Sequence, residues 1–247
     1  MKNELAVVMP VYNEEGAIRG VVLKWSQELS SLGIDFVIHV YNDGSKDGSL
    51  KILKEIAKEC PRIEVHDKTN SGHGPTILRG YVDNSDAAWT FQIDSDDEID
   101  TIFFRELWGK RDVAQFIVGR RIRDNQPFSR RLVSFVSRLS VRLLYGNKVY
   151  DVNCPYRLMK NSCFRELFSC LPKDLFAPNV VISGAVSVMG LKFFEVPVVQ
   201  KNRTSGVVSI KKMKLLKAAI KSFWQAFICS FIVKRVAMNM SRRNRGH

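Results

Sequence analysis

The sequence predicts an α/β protein built on a mostly parallel sheet flanked by helices. Short apolar runs rich in β-branched residues alternate with longer amphipathic stretches through the first half of the chain. Acidic and glycine-containing clusters follow directly on those runs, and open sheets of this class bind ligands at the carboxyl ends of their strands.

The first run, Leu5–Val11, is preceded by Glu4 and broken by Pro10, so it reads as a first strand and not as a signal peptide. Further strands are expected at Asp35–Tyr41, Arg62–His66, Trp89–Ile93 and Val113–Val118. Helical segments are expected between them, at Glu15–Leu32, Asp47–Glu59, Gly74–Asn84 and Thr101–Gly109. No internal repeat or low-complexity linker interrupts the order.

The second half differs. Phe128–Tyr145 places Leu, Val and Phe on one helical face and Arg on the other. Lys211–Val236 begins the same way and becomes almost wholly apolar from Phe223 to Val233. That apolar run is far shorter than the ~20 residues that span a bilayer. Basic amphipathic helices carrying Trp and Phe lie in the membrane interface plane, although a core-packing helix with a basic outer side would have a similar sequence.

Composition supports a packed core, with 45% hydrophobic residues in 247. Five cysteines (Cys60, Cys154, Cys163, Cys170 and Cys229) form no CxxC pair, which fits a reducing compartment and argues against a disulfide framework or a zinc site. The net charge of +13 is concentrated in two stretches, 119–148 and 201–247, and the remainder is acidic overall. Such basic blocks imply an anionic partner, either nucleic acid or a phospholipid surface.

Four constellations carry chemistry. Pro10-Val11-Tyr12-Asn13-Glu14-Glu15 ends the first strand; Tyr12 can pack against a base, and Asn13 or Glu14 is expected to cap the following helix. In Asn42-Asp43-Gly44-Ser45-Lys46-Asp47-Gly48-Ser49 the glycines supply turn geometry and Asp47 is a good N-cap. A simple turn explains Asp43 less readily, because its carboxylate sits at a strand tip. Asp94-Ser95-Asp96-Asp97-Glu98 brings four carboxylates together after Trp89–Ile93. Their repulsion is costly unless water or a hard cation such as Mg²⁺ or Mn²⁺ neutralises it. Arg120, Arg121 and Arg203 can neutralise a leaving diphosphate.

Taken in order, these motifs resemble the family 2 glycosyltransferases with the GT-A fold. Asn70-x-Gly72-x-Gly74, Gly119-Arg120-Arg121 and the run Asp151-x-Asn153-Cys154-Pro155-Tyr156-Arg157-Leu158 extend the likeness. Glu195-Val196-Pro197-Val198, with Arg203, Ser205, Gly206 and Ser209, makes it similar to the polyprenyl-phosphate sugar transferases, such as the dolichyl-phosphate mannose synthases. The resemblance covers roughly residues 4–215. It implies a catalytic region over 1–210, with a nucleotide-sugar half to about 120 and an acceptor half over 121–210, then a membrane-associating tail over 211–247. It implies that Pro10, Tyr12, Glu14 and Asp43 hold the nucleoside, and that Asp94 and Asp96 hold a divalent cation and the donor diphosphate. Arg121 and Arg203 take the arginine positions of the reaction. The implied attachment is peripheral, on the cytoplasmic side of the membrane where a lipid-linked acceptor resides.

Two departures bear on mechanism. The family often has two acids at 42–43, and here the first is Asn42. An acid is common after the Asp151 motif, yet Ala177–Phe194 contains neither Asp nor Glu, with Asn179 near the expected place. Transfer to a sugar hydroxyl needs a general base, whereas an ionised phosphate acceptor does not. The expectation is therefore inverting transfer onto a polyprenyl phosphate; Asp151 or Asp174 acting as base would favour extension of a lipid-linked saccharide.

Other classes fit less well. In a nucleic-acid-binding module, basic residues would interleave with aromatics on an exposed sheet, and an acid cluster at a strand end would repel phosphate without metal. No nucleic-acid partner is expected. A nucleotidyltransferase would carry a Gly-rich basic loop where this chain has Asn13-Glu14-Glu15.

Overall fold

The computed structural model describes residues 3–122, 128–146, 149–201 and 212–245, of which 128–134, 136, 212–219 and 244–245 are described by their backbone alone. The first half alternates β1 (Leu5–Val11), α1 (Ile18–Ser31), β2 (Phe36–Asp43), α2 (Ser49–Glu59), β3 (Ile63–Lys68), α3 (His73–Asp83) and β4 (Trp89–Gln92). A short 3-10 turn at Thr101–Phe103 leads into α4 (Phe104–Gly109) and β5 (Phe116–Ile122). Then follow α5 (Phe128–Tyr145), β6 (Arg157–Lys160), α6 (Asn161–Cys170), α7 (Pro178–Val188), β7 (Phe193–Val199) and α8 (Lys212–Arg245).

These strands make one seven-stranded sheet in the order β3-β2-β1-β4-β6-β5-β7. Only β6 is antiparallel to its neighbours, β4 and β5. Central strand β1 is apolar on both sides because helices cover both faces, and every one of its residues is buried. On one face Trp25 of α1 meets Phe91, Phe104 and Tyr156. On the other, Gly80 of α3 lies against Val8 so closely that an added Cβ would fall 2.4 Å from a valine methyl. Outside α3 lie α6 and α7, then α5 and α8, which pack on each other.

Several boundaries shift from expectation. The fifth strand runs Phe116–Ile122 instead of Val113–Val118, because the Val113 and Ala114 amides close a turn onto Lys110 after α4. Helix α1 starts at Ile18, since the Glu14 carbonyl accepts from Ala17 and Ile18 in a preceding turn. Strands β6 and β7 were not expected. Strand β7 carries Pro197, which is tolerated because β7 pairs on one side only, with β5, and is an edge.

Helix α8 is part of the core and also reaches out of it. Ala226, Cys229, Val233 and Val236 are buried on its inner side, and the Ala226 carbonyl accepts from Tyr145 of α5 at 2.6 Å. Its outer side shows Trp224, Phe227, Ile228 and Phe231 to solvent, while Phe135, Leu139 and Leu143 do the same on α5. The outward surfaces of both helices are therefore apolar as well as basic. Among the described residues, no helix is long and apolar enough to cross a membrane.

Candidate functional site

The β1–α1 and β2–α2 connections lock together backbone to side chain. The amides of Asn13, Glu14 and Glu15 donate to Ser45 Oγ (3.0 Å), Ser49 Oγ (2.8 Å) and Asp47 Oδ2 (3.1 Å). In return the amides of Lys46 and Gly48 donate to Asn13 Oδ1 (2.8 Å) and Glu15 Oε2 (2.6 Å). This corrects the capping expected of Asn13 and Glu14: α1 begins at Ile18 without a side-chain cap, and Asn13 bridges the two loops in a left-handed conformation (φ 55°). Asp47 is not the N-cap expected of it either: Gly48 takes that position without a side-chain cap, and Asp47, one residue earlier, accepts from the Ser49 amide at 3.0 Å. Gly44, at φ +66°, passes 2.8 Å from the Asn70 amide if given a Cβ, so the turn after Asp43 admits only glycine without movement.

Asp43 is buried at the carboxyl end of β2. The Ser71 and Gly72 amides donate to its two oxygens (2.8 and 2.9 Å), and Lys68 Nζ donates to Oδ1. Burial alone would raise its pKa; the Lys68 contact and the two amides outweigh that and hold the carboxyl below its usual range. Asn42 points to the other face of β2 and donates to Asp67 Oδ1 at 2.7 Å, so a carboxylate stands beside it on β3.

The acid cluster after β4 divides into two sets. Asp97 pairs with Lys24 (3.3 Å), Asp100 with Lys201 (2.6 Å), and Glu98 accepts from Gln200 Nε2. Those contacts tie the cluster to α1 and to the end of β7. Asp94 and Asp96 instead line a cavity of about 440 Å³ together with Pro10, Tyr12, Glu14 and Asp43. All six residues expected to hold nucleoside, diphosphate and cation thus meet in one cavity. Asp94 Oδ1 is buried without a hydrogen-bond partner, with His73 Nε2 3.6 Å away. Tyr12 stands 45% exposed at the rim, and Asn70, His73 and Thr76 complete the far wall. Sequence reasoning gave His73 no role; its place after Gly72, opening the helix behind the glycine motif, was the available signal.

Arg121, toward the carboxyl end of β5, and Asp151 form a fork-to-fork pair, Nε to Oδ2 and Nη2 to Oδ1 both at 2.7 Å. Burial works against the Arg121 charge, but Asp151 and the nearby Asp94 raise its pKa above the ordinary value. Arg120 is exposed, and Arg203 lies outside the described residues. Arg157, in the same motif as Asp151, is fully buried and donates to the carbonyls of Val152, Cys154 and Asn179, clamping the 152–154 loop to the start of α7. Asn179 sits in that interior network, accepting from Tyr81 at 3.3 Å. Asp174 is exposed on the loop before α7.

The glycosyl transferase family 2 model matches residues 6–168. The chain is 28% identical over 221 residues to an undecaprenyl-phosphate 4-deoxy-4-formamido-L-arabinose transferase of Pseudomonas paraeruginosa, covering 86% of this chain and 62% of that protein. It is 27% identical over 226 residues to an uncharacterized glycosyltransferase, YkcC, of Bacillus subtilis, covering 88% and 66%. The chain thus spans about 62% of the length of the arabinose-transferase relative. Among solved structures, glucosyl-3-phosphoglycerate synthase from Mycobacterium tuberculosis, in complex with Mn²⁺, uridine diphosphate and phosphoglyceric acid, superposes with a TM-score of 0.66 at 16% identity, covering 92% of this chain and 78% of that one. Mannosyl-3-phosphoglycerate synthase from Rubrobacter xylanophilus gives 0.64 at 12% identity, covering 91% and 73%. The sheet order, the acids at the end of β4 and a match across most of the chain agree: the protein belongs to glycosyl transferase family 2.

Proposed function

We propose that the protein transfers a sugar from a nucleoside-diphosphate sugar to a polyprenyl phosphate at the cytoplasmic face of a membrane, inverting the anomeric carbon. One observation carries the reading. Asp94 holds a buried carboxylate oxygen without a hydrogen-bond donor, beside Asp96 and in the same cavity as Tyr12 and Asp43. A buried anionic oxygen lacking a donor is unfavourable, and a hard divalent cation satisfies it while leaving sites for phosphate oxygens. When bound there, Mg²⁺ or Mn²⁺ would neutralise charge on the departing diphosphate.

The chain's own residues supply the rest. Tyr12 offers a ring at the rim for the base, and Asp43 and Glu14 accept from base or ribose donors. Arg121, kept charged and oriented by Asp151, adds positive potential near Asp94. Arg203 would meet the acceptor phosphate. An acceptor phosphate oxygen forms the new bond to the anomeric carbon as the bond to the diphosphate oxygen breaks, and the nucleoside diphosphate leaves with that electron pair. An ionised phosphate has no proton to surrender, so the reaction needs no base. This agrees with a 177–194 segment free of acids and with an Asp151 whose two oxygens both face Arg121. The acceptor class is supported by the relative named as an undecaprenyl-phosphate sugar transferase. Membrane contact is supported by the outward aromatic and aliphatic residues of α5 and α8, on helices that also expose Arg142, Lys221 and Lys234.

The test is sugar transfer from a panel of labelled nucleotide sugars, with membranes or purified polyprenyl phosphate as acceptor, with and without Mg²⁺ or Mn²⁺. Metal-dependent label in a lipid released by mild acid is the expected result. Label appearing only when a preformed lipid-linked saccharide is supplied would replace the acceptor, and no transfer from any donor would overturn the reading.

A further inference from the structure

On the α3 face of the sheet, away from the cavity, two neighbouring strands present a set of nitrogen and oxygen donors that the transfer reaction does not use. In the parallel register of β2 and β3, His39 stands opposite Glu64 and Tyr41 opposite His66. Side chains two apart on a strand share a face, so His39, Glu64 and His66 all project to the same side. Their donor atoms converge: His39 Nδ1 is 3.2 Å from His66 Nε2 and 3.3 Å from Glu64 Oε2, and His66 Nε2 is 4.0 Å from that carboxylate oxygen.

From this convergence we infer that His39, Glu64 and His66 form a binding site for a zinc-class transition-metal ion, separate from the carboxylates at the end of β4. Donors held ~2.0–2.1 Å from a tetrahedral zinc ion stand about 3.3 Å from one another. Two of the three separations already have that value. Rotation of Glu64, whose side chain is 55% exposed, closes the third.

The donor chemistry sets the metal class. Two imidazoles and one carboxylate suit Zn²⁺ and its first-row neighbours, whereas Mg²⁺ is bound through oxygens. The pair is also prepared for coordination. His66 is stacked on Tyr41 (ring centroids 4.4 Å apart, 12° between planes), and the Tyr41 hydroxyl is held between Asp83 and Asn84, so the imidazole plane is fixed. Three protein donors leave a fourth position for water on the side where Glu64 is exposed.

The location assigns the site a bracing role. β3 is the edge strand, joined to the sheet through β2 alone. An ion shared between His39 and His66 cross-links that edge to its neighbour, four residues before Asp43 on β2 and two before Lys68 on β3. The inference does not depend on the donor or acceptor assigned above.

The test uses the full chain, freed of metal with a chelator and titrated with Zn²⁺ in excess Mg²⁺, followed by calorimetry and thermal unfolding. One equivalent of Zn²⁺ should bind and raise Tm in a concentration-dependent way. His66→Gln and Glu64→Gln should each weaken binding by more than the ~10–100-fold that loss of an outer-shell partner costs. Co²⁺ in place of Zn²⁺ should give visible absorption that His66→Gln abolishes. Failure of the wild-type chain to take up Zn²⁺ would overturn the inference, as would wild-type affinity in both variants. Glu64 is exposed, so its variant keeps the test decisive if His66→Gln fails to fold.

Discussion

Arg121 and Asp151 are joined by two parallel hydrogen bonds of 2.7 Å, with their side chains 11% and 16% exposed. This geometry spends both oxygens of Asp151 on a guanidinium, and in the proposed reaction Asp151 would hold Arg121 in place instead of taking a proton. Asp151→Asn should therefore lower turnover through Arg121, and the pH–rate profile should keep its wild-type shape. Removing one partner of such a largely buried pair should also destabilise the fold by ~3 kcal/mol. Denaturant unfolding and a pH–rate series check both; loss of the acidic limb alone would restore Asp151 as base.

The acid cluster should separate by mutation as it does in space. Asp94→Asn and Asp96→Asn should each reduce metal-stimulated transfer by ~10²–10³-fold, the loss typical of removing one group that stabilises transition-state charge. Asp97→Asn, which removes a partner of Lys24, should leave the metal dependence intact. Transfer rates across a Mn²⁺ titration distinguish the two patterns.

Asp100 carries a measurable acid response. Its hydrogen bond with Lys201 holds the carboxyl at about 2, below the ordinary 3.8. A carboxyl depressed in the folded state stabilises it above the unfolded pKa, and this contribution fades as pH falls from about 4 to about 2. Lys201 is half exposed, so screening limits the contribution to under ~1 kcal/mol. Stability curves of wild type and Asp100→Asn should differ at neutral pH and converge near pH 2.

The outward residues of α5 and α8 give a fourth test. Trp224→Ser with Phe231→Ser should reduce sedimentation with anionic vesicles while changing stability little, since both side chains are about 60% exposed. Salt should weaken what binding remains, because Lys and Arg contacts to lipid headgroups are screened. Unchanged sedimentation would remove this surface as the membrane contact.

Local pattern made the sheet, its first-half order and the cavity residues legible. Apolar β-branched runs are strands wherever helices cover both faces, and cavity-lining residues follow at their ends, as Asp43 and Asp94 do. Strand β6 escapes the pattern because its short run, Arg157-Leu158-Met159-Lys160, is charged at both ends, and β7 because Pro197 argues against a strand until the edge position is known. Asn13 and Glu14 were assigned to a cap because their true partners, Ser45 and Ser49, lie more than thirty residues away. Nor could the sequence divide the cluster at 94–98, since Gln200 and Lys201 reach it only through the folded sheet.

The reciprocal bonding between the loops after β1 and β2 limits how this molecule can be re-engineered. Residues 13–15 and 45–49 behave as one inheritable cassette, in which each segment supplies the other's missing partners. A chimera that borrows one loop from a relative with another nucleotide preference would import side chains whose complements stayed behind. Exchanging both segments together is the graft that keeps the rim intact, and selection during divergence would face the same constraint.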